Sequence, residues 1–261
     1  MKIQFFSDVF ISSYPSFREM GLVMKTIKKK APILILGGNI GNTNHLSYPI
    51  FLSKMSSLQF EKIFIIHGNY EYYGNKIEIA NEKTKSICQQ YPNLVFLNNS
   101  YYDYEGYRFI GSTFWTQIKN TDFVWNPDYQ NIHDFSVSRQ NHLHHLSRHY
   151  IQKINRESPH PTIILSYHIP SYSLQDKYQD KDYSQCFYSE SEDCISFPVH
   201  SWFHGYRRSE MLRPRIRGIP FFSNPVNNVK FHYTSSSFFP FHQVVEFPPI
   251  GSTRIDPYSS K

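Results

Sequence analysis

The sequence predicts an α/β layered fold with parallel strands in its first half. The runs Ile33, Leu34, Ile35, Leu36 and Ile63, Phe64, Ile65, Ile66 are continuously apolar, as strands covered on both faces are, and each runs into a glycine turn. Candidate helices separate these runs. The repeated strand–loop–helix order needs crossover connections and therefore parallel neighbours.

The elements follow in chain order. Residues 2–7 read as a short apolar strand ending at Asp8. A helix is expected over 15–30, closed by Pro32 and ending in Lys25, Lys28, Lys29 and Lys30, where cations suit the helix dipole. After the strand at 33–36, residues 47–59 carry helical spacing, 63–66 form the third strand, 76–90 another helix and 94–97 another strand. Residues 107–110 lead into Gly111, Ser112, Thr113, Phe114 and Trp115. Residues 136–157 form the clearest helix, with His142, His145 and His149 on one side. No carboxylate joins that stripe, so it reads as a partly exposed helical face. Residues 163–165 deliver Ser166, Tyr167 and His168 at a strand end. The polar stretch 172–196 reads as a surface excursion of the kind that carries recognition. Trp202 and Phe203 lead to Gly205. Residues 218–261 hold short strands, a turn at Ser236 and Ser237, and an extended tail over 250–261. No repeat or internal boundary divides the chain, so 1–261 is expected to be a single domain.

Composition narrows the setting. The 22 phenylalanines and 20 tyrosines supply a core and leave amphipathic rings for an interface. The net charge of +6 eases contact with acidic partners, nucleic acid included, and Arg207, Arg208, Arg213, Arg215 and Arg217 form its most concentrated group. Cys88, Cys186 and Cys194 make neither a disulfide framework nor a metal knuckle. The chain opens on a strand and not on a charged leader with an apolar core, and no run reaches transmembrane length. The expectation is an intracellular, cytoplasmic protein without membrane insertion.

Five motifs stand at the ends of these strands: Ser7-Asp8-Val9-Phe10, Gly37-Gly38-Asn39-Ile40-Gly41-Asn42, Gly68-Asn69-Tyr70-Glu71, Ser166-Tyr167-His168, and His204-Gly205-Tyr206-Arg207-Arg208. Their order and spacing resemble the calcineurin-like metallophosphoesterases, and the likeness extends over roughly residues 2–225. The resemblance implies a four-layer α/β/β/α sandwich. It also implies a site in which two metals activate a water against phosphorus while a histidine assists the leaving group, the metals clamping attacking and leaving oxygens.

Against that pattern the side chains depart. Asp8 matches the first aspartate, but Phe10 takes a histidine position and Asn39 the bridging aspartate. Asn69 matches the asparagine ligand, Tyr70 stands where the acid histidine would be, and Glu71 keeps the following acid. Tyr167, Tyr206 and Arg208 take three further histidine positions. Two metals about 4 Å apart need concentrated negative charge, which Phe10, neutral tyrosines and a fixed guanidinium do not give. Arg208 is expected to pair with Asp8 or Glu71, replacing the lost cation. Glu71, His168, His204 and Arg207 remain as candidate ligand-binding residues.

The expectation for function follows from those losses. The chain is expected not to be an enzyme and to need no cofactor or metal. It would serve instead as a protein-interaction or structural subunit with a protein partner. Two alternatives stay open: a residual metal-dependent phosphoesterase, and a binder of phosphorylated ligands or nucleic acid that does not cleave them.

Overall fold

Eleven strands and five α-helices are described in the computed structural model, which covers residues 1–120, 126–175, 184–206, 214–226 and 240–248. The strands are β1 (Lys2–Phe6), β2 (Ile33–Gly37), β3 (Lys62–Ile66), β4 (Leu94–Phe96), β5 (Ser100–Tyr104), β6 (Tyr107–Ser112), β7 (Thr162–Ser166), β8 (Val199–His204), β9 (Arg215–Ile216), β10 (Ile219–Phe222) and β11 (Val244–Glu246). The helices are α1 (Phe17–Thr26), α2 (Ser47–Ser57), α3 (Ile77–Cys88), α4 (Asp128–Asn131) and α5 (Val137–Arg156).

The first sheet has the order β11-β1-β2-β3-β4, parallel except for β11, which runs antiparallel to β1. The second has the order β5-β6-β7-β8-β10-β9, with antiparallel strands only at its two edges. Strand side chains alternate between faces, and the packing follows that period. Ile3, Phe5, Ile33, Ile35, Phe64 and Ile66 meet Phe109, Ile163, Leu165, Phe203 and Phe222 between the sheets. Phe64 stacks on Phe109 there at 4.1 Å. On the outer face of the first sheet, Phe6, Leu34, Leu36, Ile63 and Ile65 pack on Met20, Val23, Phe51, Leu52 and Met55 of α1 and α2. On the outer face of the second, Ile110, Ile164, Trp202 and Phe221 meet Ile151 of α5. The layering is α/β/β/α, as expected.

Some boundaries differ for identifiable reasons. Helix α1 ends at Thr26 because Ile27 turns extended (φ −76°, ψ 118°). Lys28 and Lys30 lie beyond the helix, where the buried Gln4 amide donates to Lys28 O and accepts from Lys30 N. Of the four lysines, Lys25 lies in the last turn of α1, as expected, while Lys28, Lys29 and Lys30 follow the helix. The β5–β6 hairpin, closed by Glu105 and Gly106 at φ 49° and 76°, has its rings interrupted by Asp103 and Arg108, and the apolar-run criterion passes over it. The stretch expected to be a surface excursion contributes to the core where it is described. Leu174, Tyr188, Cys194 and Ile195 are buried against Ile169 and Trp202, while 176–183 fall outside the described residues. His142, His145 and His149 lie on the exposed face of α5, and the three cysteines are free and buried. The turn at Ser236 and Ser237 and the tail at 250–261 lie outside the described residues. Among the described residues no helix is long and apolar enough to cross a membrane.

Candidate active site

Parallel sheets present their binding groups where strands end and loops begin, and all five motifs converge there, the fifth through its described residues His204, Gly205 and Tyr206. Asp8, Phe10, Asn39 and Tyr206 all adopt left-handed backbone, with φ between 50° and 57°. Such conformations are costly for residues with a Cβ and persist only where surroundings impose them. Here the loops are cross-tied: Asp8 N donates to Gly38 O, Phe10 N to Asn39 O, and Gly205 N to Ser166 O. Gly38 and Gly205 permit the approach, because a Cβ on either would meet Tyr167 Cδ2 at 2.6 Å or less.

Asp8 is buried, and each of its carboxylate oxygens accepts a hydrogen bond while lone-pair capacity remains. Ser7 Oγ donates to Oδ2 at 2.6 Å, Tyr206 N donates to Oδ2 at 3.3 Å, and Tyr167 Oη donates to Oδ1 at 3.0 Å. Burial pushes this carboxyl up to about 6, against the lowering effect of those donors. Asn39 Nδ2 donates to Tyr167 Oη, and Asn39 Oδ1 accepts from Tyr70 N at 2.9 Å. One network thus runs from Asp8 through Tyr167 and Asn39 to the loop after β3.

Glu71, a candidate ligand-binding residue from the sequence, turns its carboxylate to backbone amides. Its buried carboxylate accepts from Asn39 N at 2.9 Å, Ile40 N at 2.6 Å and Gly68 N at 2.8 Å, and so clamps the β2 and β3 loops together. Burial raises it to about 7. His168 and His204 are buried, and each has its Nδ1 against a backbone carbonyl. His168 Nδ1 sits 3.1 Å from Thr113 O and burial lowers it to about 4, while His204 Nδ1 lies 2.9 Å from Gly205 O. The His168 ring nevertheless stacks on Tyr206 at 5.9 Å, so it supports the site from behind. Arg207 and Arg208 lie outside the described residues, and with them the expected pairing to Asp8.

Half-buried rings form the rim. Phe10 meets Tyr70 edge-on at 5.2 Å, Tyr70 meets Tyr73 at 5.4 Å, and Tyr206 stacks on Phe187 at 4.5 Å and packs edge-on to the buried Tyr167 at 5.3 Å. Burial, and then Glu71, raise the Tyr70 phenol above its ordinary value.

Asn69 is one of several described residues with a buried side-chain atom that has no hydrogen-bond partner, and it stands in the third motif. Its Nδ2 donates to Asp128 Oδ1 at 2.7 Å and lies 3.3 Å from Tyr73 Oη, whereas its buried Oδ1 receives no hydrogen bond among the described residues. Asp128 was invisible to sequence reasoning. Asn126-Pro127-Asp128 reads as a turn, and no motif spacing connects it to Asn69 across 59 positions.

The sequence profile of the calcineurin-like phosphoesterases matches residues 1–205. The chain belongs to that family. It is 28% identical over 198 residues to Uncharacterized protein L509 of Acanthamoeba polyphaga mimivirus, covering 66% of this chain and 70% of that one. Among solved structures it is similar to the phosphopantetheinyl hydrolase of Mycobacterium tuberculosis, with a TM-score of 0.65 and 12% identity over 86% of this chain and 89% of that chain. It is also similar to TT1561 of Thermus thermophilus, with a TM-score of 0.55 and 10% identity over 86% and 88%. At such identities these two likenesses establish the shared fold.

Membership corrects one expectation. Reading lost ligands as lost catalysis led to a chain that is not an enzyme; the match to a phosphoesterase family over most of its length overturns that. The donor set still bears on the family's metals. Phe10 offers no lone pair, Asn39 has both amide ends engaged, and no group of three or more His, Cys, Asp or Glu suited to a metal occurs among the described residues. These residues do not fit two metals. What they leave is a buried acceptor, Asn69 Oδ1, with no donor among the described residues, and the Asp8 carboxylate just after β1.

Proposed function

We propose that the chain is a phosphoesterase with a reduced centre, working with a single hard cation held by Asn69 Oδ1 and the Asp8 carboxylate. The observation that carries this reading is the buried Asn69 Oδ1 without a donor, since a buried acceptor left unpaired costs about 1–3 kcal/mol and calls for a partner. A bound cation there would polarise a phosphoryl oxygen and acidify a water. The chain's own groups do the rest. Tyr167 Oη and Tyr206 N hold the Asp8 carboxylate in a fixed orientation. Tyr70, a half-buried phenol on the rim and protonated at neutral pH as phenols are, would give its Oη proton to a leaving oxygen. Phe10, Tyr70, Tyr73 and Tyr206 surround the centre with ring faces and edges, which favours esters carrying an aromatic or heterocyclic group.

The test is hydrolysis of p-nitrophenyl phosphate and bis-p-nitrophenyl phosphate during a Mn²⁺ titration of chelator-treated protein. Turnover should rise to saturation at one equivalent of metal and fall about a hundredfold in Asp8→Ala and Asn69→Ala. Turnover indifferent to both substitutions, or none at any metal concentration, would overturn the reading.

A further inference from the structure

We infer that Asp128 is a positioning residue for this centre: it fixes which end of the Asn69 carboxamide faces the reacting groups. The inference rests on the single-cation reading above and names the residue that makes Asn69 an acceptor there.

A carboxamide has two ends of nearly equal shape and opposite hydrogen-bonding character, and only its neighbours decide which way it points. Asn69 Nδ2 donates to Asp128 Oδ1 at 2.7 Å, and the Tyr73 hydroxyl donates to the same oxygen at 2.8 Å. Turning the amide over would set Asn69 Oδ1 against a carboxylate oxygen, two acceptors with no proton between them. An aspartate at 128 therefore forbids the flipped state, and Asn69 Oδ1 must point away from it. That oxygen is buried and without a donor among the described residues.

Asp128 is itself held in place. It is 4% exposed, and its backbone N–H donates to Asn126 Oδ1 at 3.0 Å. It opens α4, whose last residue accepts Gly74 N through Asn131 O at 2.7 Å, tying α4 to the loop that carries Tyr73. No strong cation contacts its carboxylate among the hydrogen bonds described; its donors are the Asn69 amide, the Tyr73 phenol and, in lesser part, Asn126. A buried carboxylate satisfied by two neutral side-chain donors is an expensive way to brace a loop. It makes sense where one of those donors must keep a given orientation. Partners of this kind, one bond removed from a ligand, govern affinity by about 10- to 100-fold.

The experiment follows the Asn69 side-chain amide by NMR in metal-free, asparagine-labelled protein, its signals assigned by their loss in Asn69→Ala, and measures Mn²⁺ affinity by calorimetry. In Asp128→Ala the amide protons should lose their hydrogen-bonded shift and slow exchange, and Mn²⁺ affinity should fall about tenfold. Asp128→Asn keeps the shape but allows the flipped state, so both readouts should lie between wild type and Asp128→Ala. If Asp128→Ala does not fold, Asp128→Asn decides alone. Amide signals and Mn²⁺ affinity unchanged in a folded variant would overturn the inference. Wild type that binds no Mn²⁺ would sink the single-cation reading instead, while the amide signals would still decide whether Asp128 sets the orientation.

Discussion

Replacing Glu71 by alanine should unfasten the β2 and β3 loops, and the magnitude can be worked from its bonds. Three backbone N–H groups, of Asn39, Ile40 and Gly68, end on this carboxylate at 2.9, 2.6 and 2.8 Å, and all three are buried. A buried donor left unpaired costs about 1–3 kcal/mol. The low end applies here, because the space vacated by the side chain admits water to some of them. The expected loss is therefore about 3–5 kcal/mol in urea unfolding at pH 4. That pH lies below both the ordinary glutamate value of 4.5 and the raised Glu71 value of about 7, so titration of the carboxyl enters the difference least there. Glu71→Gln, which keeps one acceptor oxygen and turns a donor toward the remaining N–H groups, should fall between alanine and wild type. Hydrogen exchange locates the effect: the amides of Asn39, Ile40 and Gly68 should lose protection while those of β7 keep theirs. A loss under about 1 kcal/mol, or protection unchanged at the three amides, would refute the clamp.

Three further outcomes are expected. Asp8 and Glu71 are both raised by burial, to about 6 and about 7 from 3.8 and 4.5, so between those limits the folded chain holds protons that the unfolded chain has released. Stability of chelator-treated protein should be full below about pH 4 and fall as pH rises through 6 and 7, by up to about 3 kcal/mol for each acid; a urea midpoint that climbs over this range would contradict the burial argument. Asn39→Asp restores the family's bridging acid but leaves Tyr167 Oη one proton for two carboxylates, so it should cost about 3 kcal/mol in metal-free protein, with Mn²⁺ recovering most of the loss in a thermal shift. Gly205→Ala would bring a Cβ to 2.5 Å from Tyr167 Cδ2 and 2.7 Å from Gly37 O; an unchanged melting temperature would show that the loops are looser than described, against an expected cost of about 1–3 kcal/mol.

Much of the fold was legible because its signals are local. The apolar runs ending at Leu36 and Ile66 could be nothing but covered strands, and the glycines after them mark the loops that carry the site. What escaped has a physical reason in each case. The β5–β6 hairpin breaks its rings with Ser100, Asp103 and Arg108, so it gives no continuous apolar run. The lysines after α1 looked like a helix end because the competing partner, the Gln4 amide, comes from a strand 24 and 26 positions away. Glu71 looked available because an acid beside a ligand motif usually is, whereas its three backbone donors arise only once two loops meet. Asp128 carries no motif at all; it matters through one oxygen, and only the folded chain brings that oxygen to Asn69.

Counting ligands one position at a time also misled, because the substitutions are not independent. Asparagine at 39 differs from aspartate by the donor it gains, and tyrosine at 167 supplies the acceptor that uses it. The same phenol then spends its single proton on Asp8, which keeps the remaining carboxylate paired after a second metal has lost its bridge. Asn39 meanwhile continues to hold the Tyr70 backbone N–H with its oxygen, a task that aspartate and asparagine perform equally well. Read as a pair, Asn39 and Tyr167 replace one buried charge and one cation by a chain of neutral hydrogen bonds ending on Asp8, at a lower desolvation cost than an unpaired acid would carry. The network closes on that side of the site. It stays open at Asn69 Oδ1, the buried end of an amide whose nitrogen is taken by Asp128, and the proposed single cation would meet its acceptor there.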